Sequence, residues 1–251
     1  IVAQIVYYFY ASFQVDSPPV FSVPTGNFGD VLAGWYAKEM GCPCRGLIVA
    51  TNANDILARF FATGTYAKDG GAVETLAPSM DISVSSNFER FVFYCSGNDA
   101  LVTKGLMDSF EKTGSFTAPA ALKAKAQSLM KAGSVQKEGI LETIKAHKNK
   151  TGYVLDPHTA CGVRAAEDLK STLGEGPVIC LACAHHGKFP AALEAALGAD
   201  AASVPEEKAL TDLLSVPHRK DVLENSARAV IDFVEKTMAS RGPPAKKARN
   251  A

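Results

Sequence analysis

Two glycines in a seven-residue corner carry the clearest chemistry in this sequence. Pro24-Thr-Gly-Asn-Phe-Gly-Asp30 follows a short apolar run, 20–23, and precedes a stretch, 31–40, with a helical pattern that stops at Gly41. Gly26 and Gly29 let the backbone approach a ligand closely and take positive φ without a steric penalty. The helix start behind them offers unpaired N–H groups and the positive end of the helix dipole. Amides and dipole together make an anion site, best suited to phosphate. The corner lacks the lysine and spacing of a Walker loop, and it is not the G-x-G-x-x-G of a dinucleotide fold. The residues alone leave two readings open: a phosphate cradle, or a tight strand-to-helix turn that binds nothing.

The corner needs elements to hold it. Residues 47–50 (LIVA) read as the next apolar strand, and 52–61 as a helix with Asn52 or Asn54 as its cap. The order strand, turn, helix, strand, helix points to an α/β fold built on a largely parallel sheet. Further on, Ser86 and Glu89 have capping-box spacing. Residues 98–150, rich in Lys, Glu, Ala and Leu, read as surface helices. Tyr153–Leu155 reads as a short strand, 163–173 as a helix and 178–184 (VICLACA) as a buried strand. Helices are expected over 190–198 and 219–238, and a disordered tail over 241–251.

Composition narrows the classes. The 251 residues are 47% hydrophobic, with 26 basic and 26 acidic side chains, so nothing calls for a nucleic-acid partner. Six cysteines, at 42, 44, 95, 161, 180 and 183, fit a reduced cytoplasmic protein better than a disulfide scaffold. Cys42-Pro-Cys44 does not have the usual structural-zinc spacing, and Cys180 and Cys183 lie within one apolar run, so buried free thiols and no metal are expected. Residues 1–13 (IVAQIVYYFYASF) carry no charge, are too short to span a bilayer, and lack the features of a signal peptide. They read as a buried core element, which implies that more protein precedes them.

Several segments together resemble one family. Pro24–Gly34 (PTGNFGDVLAG), continued by Tyr36–Gly41, is similar to the phosphate-loop signature of threonine synthases. Ala50–Leu57 (ATNANDIL), Ala77–Ile82 (APSMDI), Ser85–Arg90 (SSNFER), Asp156–Ala160 (DPHTA) and Ala182–Phe189 (ACAHHGKF) resemble further family motifs in the same order. Gln4–Ala11 fits the helix before the loop. The likeness covers most of residues 1–190 and corresponds to the carboxy-terminal portion of the family.

The resemblance implies the three-layer parallel-sheet fold of the tryptophan synthase β-like enzymes, incomplete in this chain. It implies pyridoxal 5′-phosphate as cofactor, and conversion of O-phospho-L-homoserine and water to L-threonine and phosphate. A threonine synthase-like phospholyase, or a catalytically incomplete fragment that binds the cofactor or phosphate, is the alternative. On this footing Gly26, Asn27, Phe28 and Gly29 hold the cofactor phosphate, and Asp30 turns away to cap the helix. Thr159 contacts the pyridine nitrogen as a neutral hydroxyl that leaves it unprotonated. Asn52, Asn54, Asn87, Arg90 and Lys188 are candidates to bind substrate or order the site.

The family's Schiff-base lysine lies in an amino-terminal F-K-D motif. No lysine here has that context, and Lys38, Lys68 and Lys104 do not match it. The missing half is therefore expected upstream, on a separate chain, or never present. Residues 1–240 are then the carboxy-terminal part of the catalytic region. Cys183, His186 and Gly187 depart from the family's T-A-H-P-A run, and Ala77 from its usual serine.

Overall fold

The structure, a computed structural model, describes residues 1–217 and 220–241. The chain divides into two compact units, residues 1–207 and 208–251.

The first unit begins with α1 (Val2–Ser12), β1 (Val20–Pro24), α2 (Gly29–Glu39), β2 (Gly46–Thr51), α3 (Ile56–Thr63) and β3 (Thr65–Ala67). It continues with α4 (Phe88–Cys95), α5 (Ala100–Thr113), β4 (Ser115–Thr117), α6 (Ala120–Leu129), β5 (Met130–Ser134) and α7 (Lys137–Thr151). It closes with α8 (Pro157–Asp168), β6 (Val178–Cys180) and α9 (Pro190–Leu197). The second unit holds α10 (Lys208–Thr211) and α11 (Ala227–Arg241).

Four strands form one parallel sheet in the order β5-β2-β1-β6. β3 and β4 make a separate antiparallel ribbon. β1 and β2 are buried nearly throughout, as expected of parallel strands covered on both faces. Alternation splits their side chains between two cores. Phe21, Val23, Leu47 and Val49 pack with Tyr8, Leu32, Trp35, Leu57 and Phe60 on one face. Val20, Ile48 and Ala50 pack with Ile140, Ala160, Cys161, Ala165 and Leu193 on the other. The result is three layers, with α1–α4 on one side and α7–α9 on the other.

The first core is rich in rings. Phe28 meets Phe88 and Phe91 at 5.2 Å between centroids, and Tyr66 lies 4.7 Å from Phe88. Each such ring contributes about 1.5–3 kcal/mol by leaving water. Phe28 is also the last residue before α2, so this packing anchors the corner from beneath.

Several expectations from the sequence need correction. α1 is not a wholly buried element: it buries Tyr8 and Ser12, while Val2, Val6, Tyr10 and Phe13 are 82%, 67%, 66% and 67% exposed. α3 starts at Ile56, because the Asn52 and Asn54 side chains are used elsewhere and do not cap it. The capping box at Ser86 does not form, and α4 starts without a side-chain cap. Residues 98–150 include strands as well as helices: β5 (MKAGS) has no strand-like composition and is placed by its pairing to β2. Tyr153–Leu155 is not a strand, and α8 begins at Pro157 rather than at 163. β6 stops at Cys180 and lies at the sheet edge, so Cys183 is exposed rather than buried. All six cysteines are free. Residues 220–226 are not helical, and the last helix starts at Ala227; residue 219 lies outside the described residues. The expected tail falls, beyond residue 241, outside the described residues. Among the described residues, no helix is long and apolar enough to cross a membrane.

Gly34 lets α1 lie on α2. A Cβ there would stand 2.6 Å from the Tyr8 ring and 3.0 Å from Leu47. Gly34→Val is expected to cost roughly 2–3 kcal/mol through overpacking. The check is a lower urea midpoint at unchanged m-value; a midpoint equal to that of the parent would show that α1 can shift away freely.

Candidate active site

All four strands of the main sheet run parallel, so their carboxyl ends share one edge. Open α/β sheets bind ligands at that edge. The corner 24–29 leaves it after β1, 52–55 after β2, and 181–185 after β6.

The corner is clamped by its carbonyls. Thr25 N–H donates to the Ala50 carbonyl at 2.7 Å, and the Thr25 hydroxyl to the Val23 carbonyl at 2.6 Å. The Gly26 carbonyl accepts from the Ser85 hydroxyl at 2.6 Å. The Asn27 carbonyl accepts from the Asn87 backbone N–H at 3.1 Å and from Asn87 Nδ2 at 3.0 Å. With the carbonyls held from the protein side, the amides of Gly26, Asn27 and Phe28 donate to no acceptor among the described residues. Gly29 N–H is taken by Asn27 Oδ1 at 2.8 Å.

The two glycines are there for space, not for positive φ. The left-handed residue is Phe28, at φ 64°. A Cβ on Gly26 would meet Met80 Cα at 3.0 Å and Ser79 O at 3.2 Å. A Cβ on Gly29 would meet Asn27 Oδ1 at 3.0 Å.

Asp30 points away from the corner, as expected, but it does not cap α2. Its carboxylate accepts from the hydroxyls of Tyr7 and Tyr8 on α1, and Tyr8 also donates to its carbonyl at 2.9 Å. Burial raises the Asp30 carboxyl above its ordinary range, against the tyrosine bonds that favour its charge.

The second motif is a helix start. Asp156 is the N-cap of α8, accepting from His158 N–H at 2.9 Å and from Thr159 N–H. Pro157 takes the first helical position, where its missing N–H costs nothing. Asp156, His158 and Thr159 are all buried. Ser79 N–H donates to His158 Nε2 at 3.2 Å, so Nδ1 carries the hydrogen and donates to Asp156 Oδ1 at 2.9 Å. The Thr159 hydroxyl donates to Asp156 Oδ2 and accepts from Cys183 N–H at 3.1 Å. Burial alone would raise the Asp156 carboxyl, but the bonds from His158 and Thr159 outweigh it and hold it below the usual carboxylate range. Cys183 ties this start to the segment after β6. Its thiol is pushed up to about 12, first by desolvation and then by the carboxylates of Asp30 and Asp156.

Asn52 and Asn54 are committed to the protein. Asn52 Nδ2 donates to Asp81 Oδ1 at 2.7 Å and to the Thr75 hydroxyl at 2.8 Å. Its Oδ1 accepts from Asn54 N–H at 2.9 Å. Asn54 Nδ2 donates to Asp81 Oδ1 at 3.0 Å and to the Val73 carbonyl at 2.9 Å. Thr75 gives Asp81 its N–H and its hydroxyl, at 2.7 and 2.6 Å. The network ties segment 73–82 over the end of β2, and that segment carries Ser79 and Met80 against Gly26 and His158. Asp81 is its hub. The APSMDI run contained it, but composition gives no sign that one carboxylate gathers four donors.

Asn87 clamps the corner and accepts from Arg90. Arg90 itself is exposed and lines a groove with Tyr36, Tyr94 and Lys104. Lys188 is exposed on a short turn after β6. Lys38 is held by the Cys44 carbonyl, Lys68 lies over the Phe110 ring and Lys104 pairs with Asp108.

The chain is similar to known proteins over nearly its whole length. A family model described as threonine synthase, C-terminal, matches residues 159–234. A threonine synthase of Pseudomonas aeruginosa is 43% identical over 247 residues, covering 97% of this chain and 52% of the relative. The chain aligns with the carboxy-terminal part of the threonine synthases. The crystal structure of PLP-bound threonine synthase from Brucella melitensis has 40% identity and a TM-score of 0.83, over 94% of this chain and 50% of that one. Yeast threonine synthase gives 34% identity and the same TM-score of 0.83, over 95% and 52%. The chain thus has the α/β fold of the threonine synthases, the tryptophan synthase β-like fold, and spans about half the length of the relatives it matches.

Two measurements test the site. Asp81→Ala leaves four donors without their acceptor, and about 2–4 kcal/mol of stability should be lost. Amide exchange at Thr75 should accelerate with it; unchanged protection there would mean the network is not what holds 73–82. For Asp30, a raised carboxyl binds its proton more tightly folded than unfolded. Its contribution is full below the unfolded value, about 3.9, and is lost as pH rises through the raised folded value. Asp30→Asn should therefore gain on the parent in urea midpoint as pH rises from about 4 to 7. A gap that stays constant with pH would refute the raised carboxyl.

Proposed function

We propose that the protein carrying this chain is a threonine synthase, dependent on pyridoxal 5′-phosphate, that converts O-phospho-L-homoserine and water to L-threonine and phosphate. The observation that carries this is the corner: three amides without an acceptor among the described residues, at the start of a helix, on the same sheet edge as a buried threonine on a second helix start. These residues fit the cofactor. Amides at a helix start suit its phosphate, and Gly26 and Gly29 let segment 79–82 and the Asn27 side chain pack close against the corner that presents them.

The amides of Gly26, Asn27 and Phe28 bind the phosphate. Gly29 joins them when Asn27 Oδ1 yields its N–H. Thr159 faces the ring. The cofactor supplies an electron sink for the carbanion chemistry next to its imine. The chain's own part is to hold and orient. Asn52, Asn54 and Asn87 order the site through the contacts described above, and their role as direct substrate ligands recedes. Lys188 and Arg90 stay as candidates for the substrate phosphate, since charge-assisted bonds to phosphate favour such side chains. The lysine that forms the imine belongs, on this reading, to the amino-terminal half of the protein, and the enzyme works in the cytoplasm.

The full-length protein should show cofactor absorbance and release phosphate from O-phosphohomoserine, with threonine as product by chromatography. A keto acid in place of threonine would assign it as a phospholyase, and absence of cofactor absorbance would exclude both. Gly26→Val should weaken cofactor binding by about tenfold or more, roughly 1.4 kcal/mol.

A further inference from the structure

Helices α4 and α5 border a groove of about 720 Å³, within the roughly 300–1,000 Å³ of small-molecule sites. α4 gives it Arg90, Phe93 and Tyr94, α5 gives it Met107, and α2 adds Tyr36. The rings and the thioether make an apolar surface on which another ring can stack. The Tyr36 hydroxyl donates to the Tyr94 hydroxyl at 3.3 Å, so the Tyr94 hydrogen has no acceptor among the described residues.

The charges along the groove are unevenly spent. Lys104 and Asp108 neutralise each other through two bonds, at 2.8 and 2.6 Å. Arg90 has no carboxylate partner among the described residues. It gives an N–H to Asn87 Oδ1, and its other donors are free. Glu89 and Glu111 also line the groove, and neither enters an ion pair among the described residues. A free guanidinium with a free hydroxyl hydrogen calls for a carboxylate. Two unpaired glutamates call for an ammonium. A bare anion would be repelled by the glutamates and a bare amine by Arg90. A zwitterion answers both, and the rings answer an aromatic body.

We propose that the groove between α4 and α5 binds a free α-amino acid with an aromatic side chain, and that its occupation tightens the glycine corner through Arg90 and Asn87. Asn87 accepts from Arg90 with Oδ1 and donates to the Asn27 carbonyl with Nδ2, at 3.0 Å. It can do both in one orientation of its amide only. Its backbone N–H holds the same carbonyl at 3.1 Å. A carboxylate that pins Arg90 therefore pins Asn87, and Asn27 with it. Coupling of this kind is reciprocal, so an anion on the corner amides tightens the amino acid in turn. The coupling rests on the cofactor reading above; the groove site does not.

Calorimetry on the full-length protein, freed of cofactor so that no imine contributes heat, tests the site with L-phenylalanine. Phenethylamine lacks its carboxylate and 3-phenylpropanoate its ammonium. Each should bind about tenfold or more weakly than L-phenylalanine. Arg90→Gln and Met107→Ala should each weaken L-phenylalanine about fivefold or more. Both side chains are at the groove, and the melting temperature of each variant shows whether it is folded. No heat with L-phenylalanine overturns the site, and so do partial ligands that bind as tightly or an affinity unchanged in either variant. The coupling is read with pyridoxamine 5′-phosphate, which carries the cofactor's phosphate and forms no imine with the amino acid. Its dissociation constant should fall about fivefold in saturating L-phenylalanine, and the fall should vanish in Asn87→Ala. A constant indifferent to L-phenylalanine in the parent overturns the coupling. If L-phenylalanine binds through Arg90 while neither pyridoxamine nor pyridoxal 5′-phosphate binds at all, the cofactor reading and the coupling fall and the groove site stands.

Discussion

Helix α8 can lie directly on β1 only because Gly162 has no side chain, and the site depends on that contact. A Cβ there would stand 3.1 Å from Pro24 Cγ. The Ser22 hydroxyl, on the buried strand, donates to the Gly162 carbonyl at 2.6 Å. One residue back, the Cys161 thiol donates to the Thr51 carbonyl of β2 at 3.1 Å. These contacts fix where α8 begins, and so bring Asp156, His158 and Thr159 to the carboxyl edge of the sheet, the edge from which the corner also departs. Neither motif forms a site alone; the seat of α8 on β1 makes them neighbours.

The corner itself was legible in the sequence because its chemistry is local. Strand, glycines and helix follow one another within about twenty residues, and each has its own signal. The start of α8 was misread for the same local reason. Asp156-Pro157 is a good cap and first helical residue, but the apolar pattern becomes helical only further on. β5 was missed because Met130–Ser134 owes its strand to β2, eighty residues earlier in the chain. Pairing of that range overrides intrinsic preference. Asn52 and Asn54 were rightly singled out, yet their work is to order segment 73–82. Which of two roles an asparagine has depends on the donors and acceptors around it, and here the deciding partner, Asp81, lies 27 and 29 residues away.

Two carboxylates, Asp156 buried and Asp30 half-buried, flank the site and are handled in opposite ways. Asp156 collects two amides, an imidazole N–H and a hydroxyl, and its carboxyl is held low. Asp30 collects two phenol hydroxyls, and burial still holds its carboxyl high. The difference is in the number and kind of donors: the side-chain bonds from His158 and Thr159, with the backbone amide of His158 behind them, outweigh the burial of Asp156, and the two phenols do not outweigh that of Asp30.

On the proposed reading of the corner as an anion site, the turn of Asp30 away from it matters, because that aspartate lies one residue into the helix. A fully charged carboxylate facing the free amides would compete with phosphate for the same positive end of α2 and repel it. Turning Asp30 toward Tyr7 and Tyr8 removes it as a competitor for the amides, and the two phenol bonds offset part of the cost of burying its charge there. The tyrosines can receive it only if α1 lies close on α2, which Gly34 permits. The bareness of the corner amides is thus set on the far side of α2, by a glycine and two tyrosines that touch no ligand.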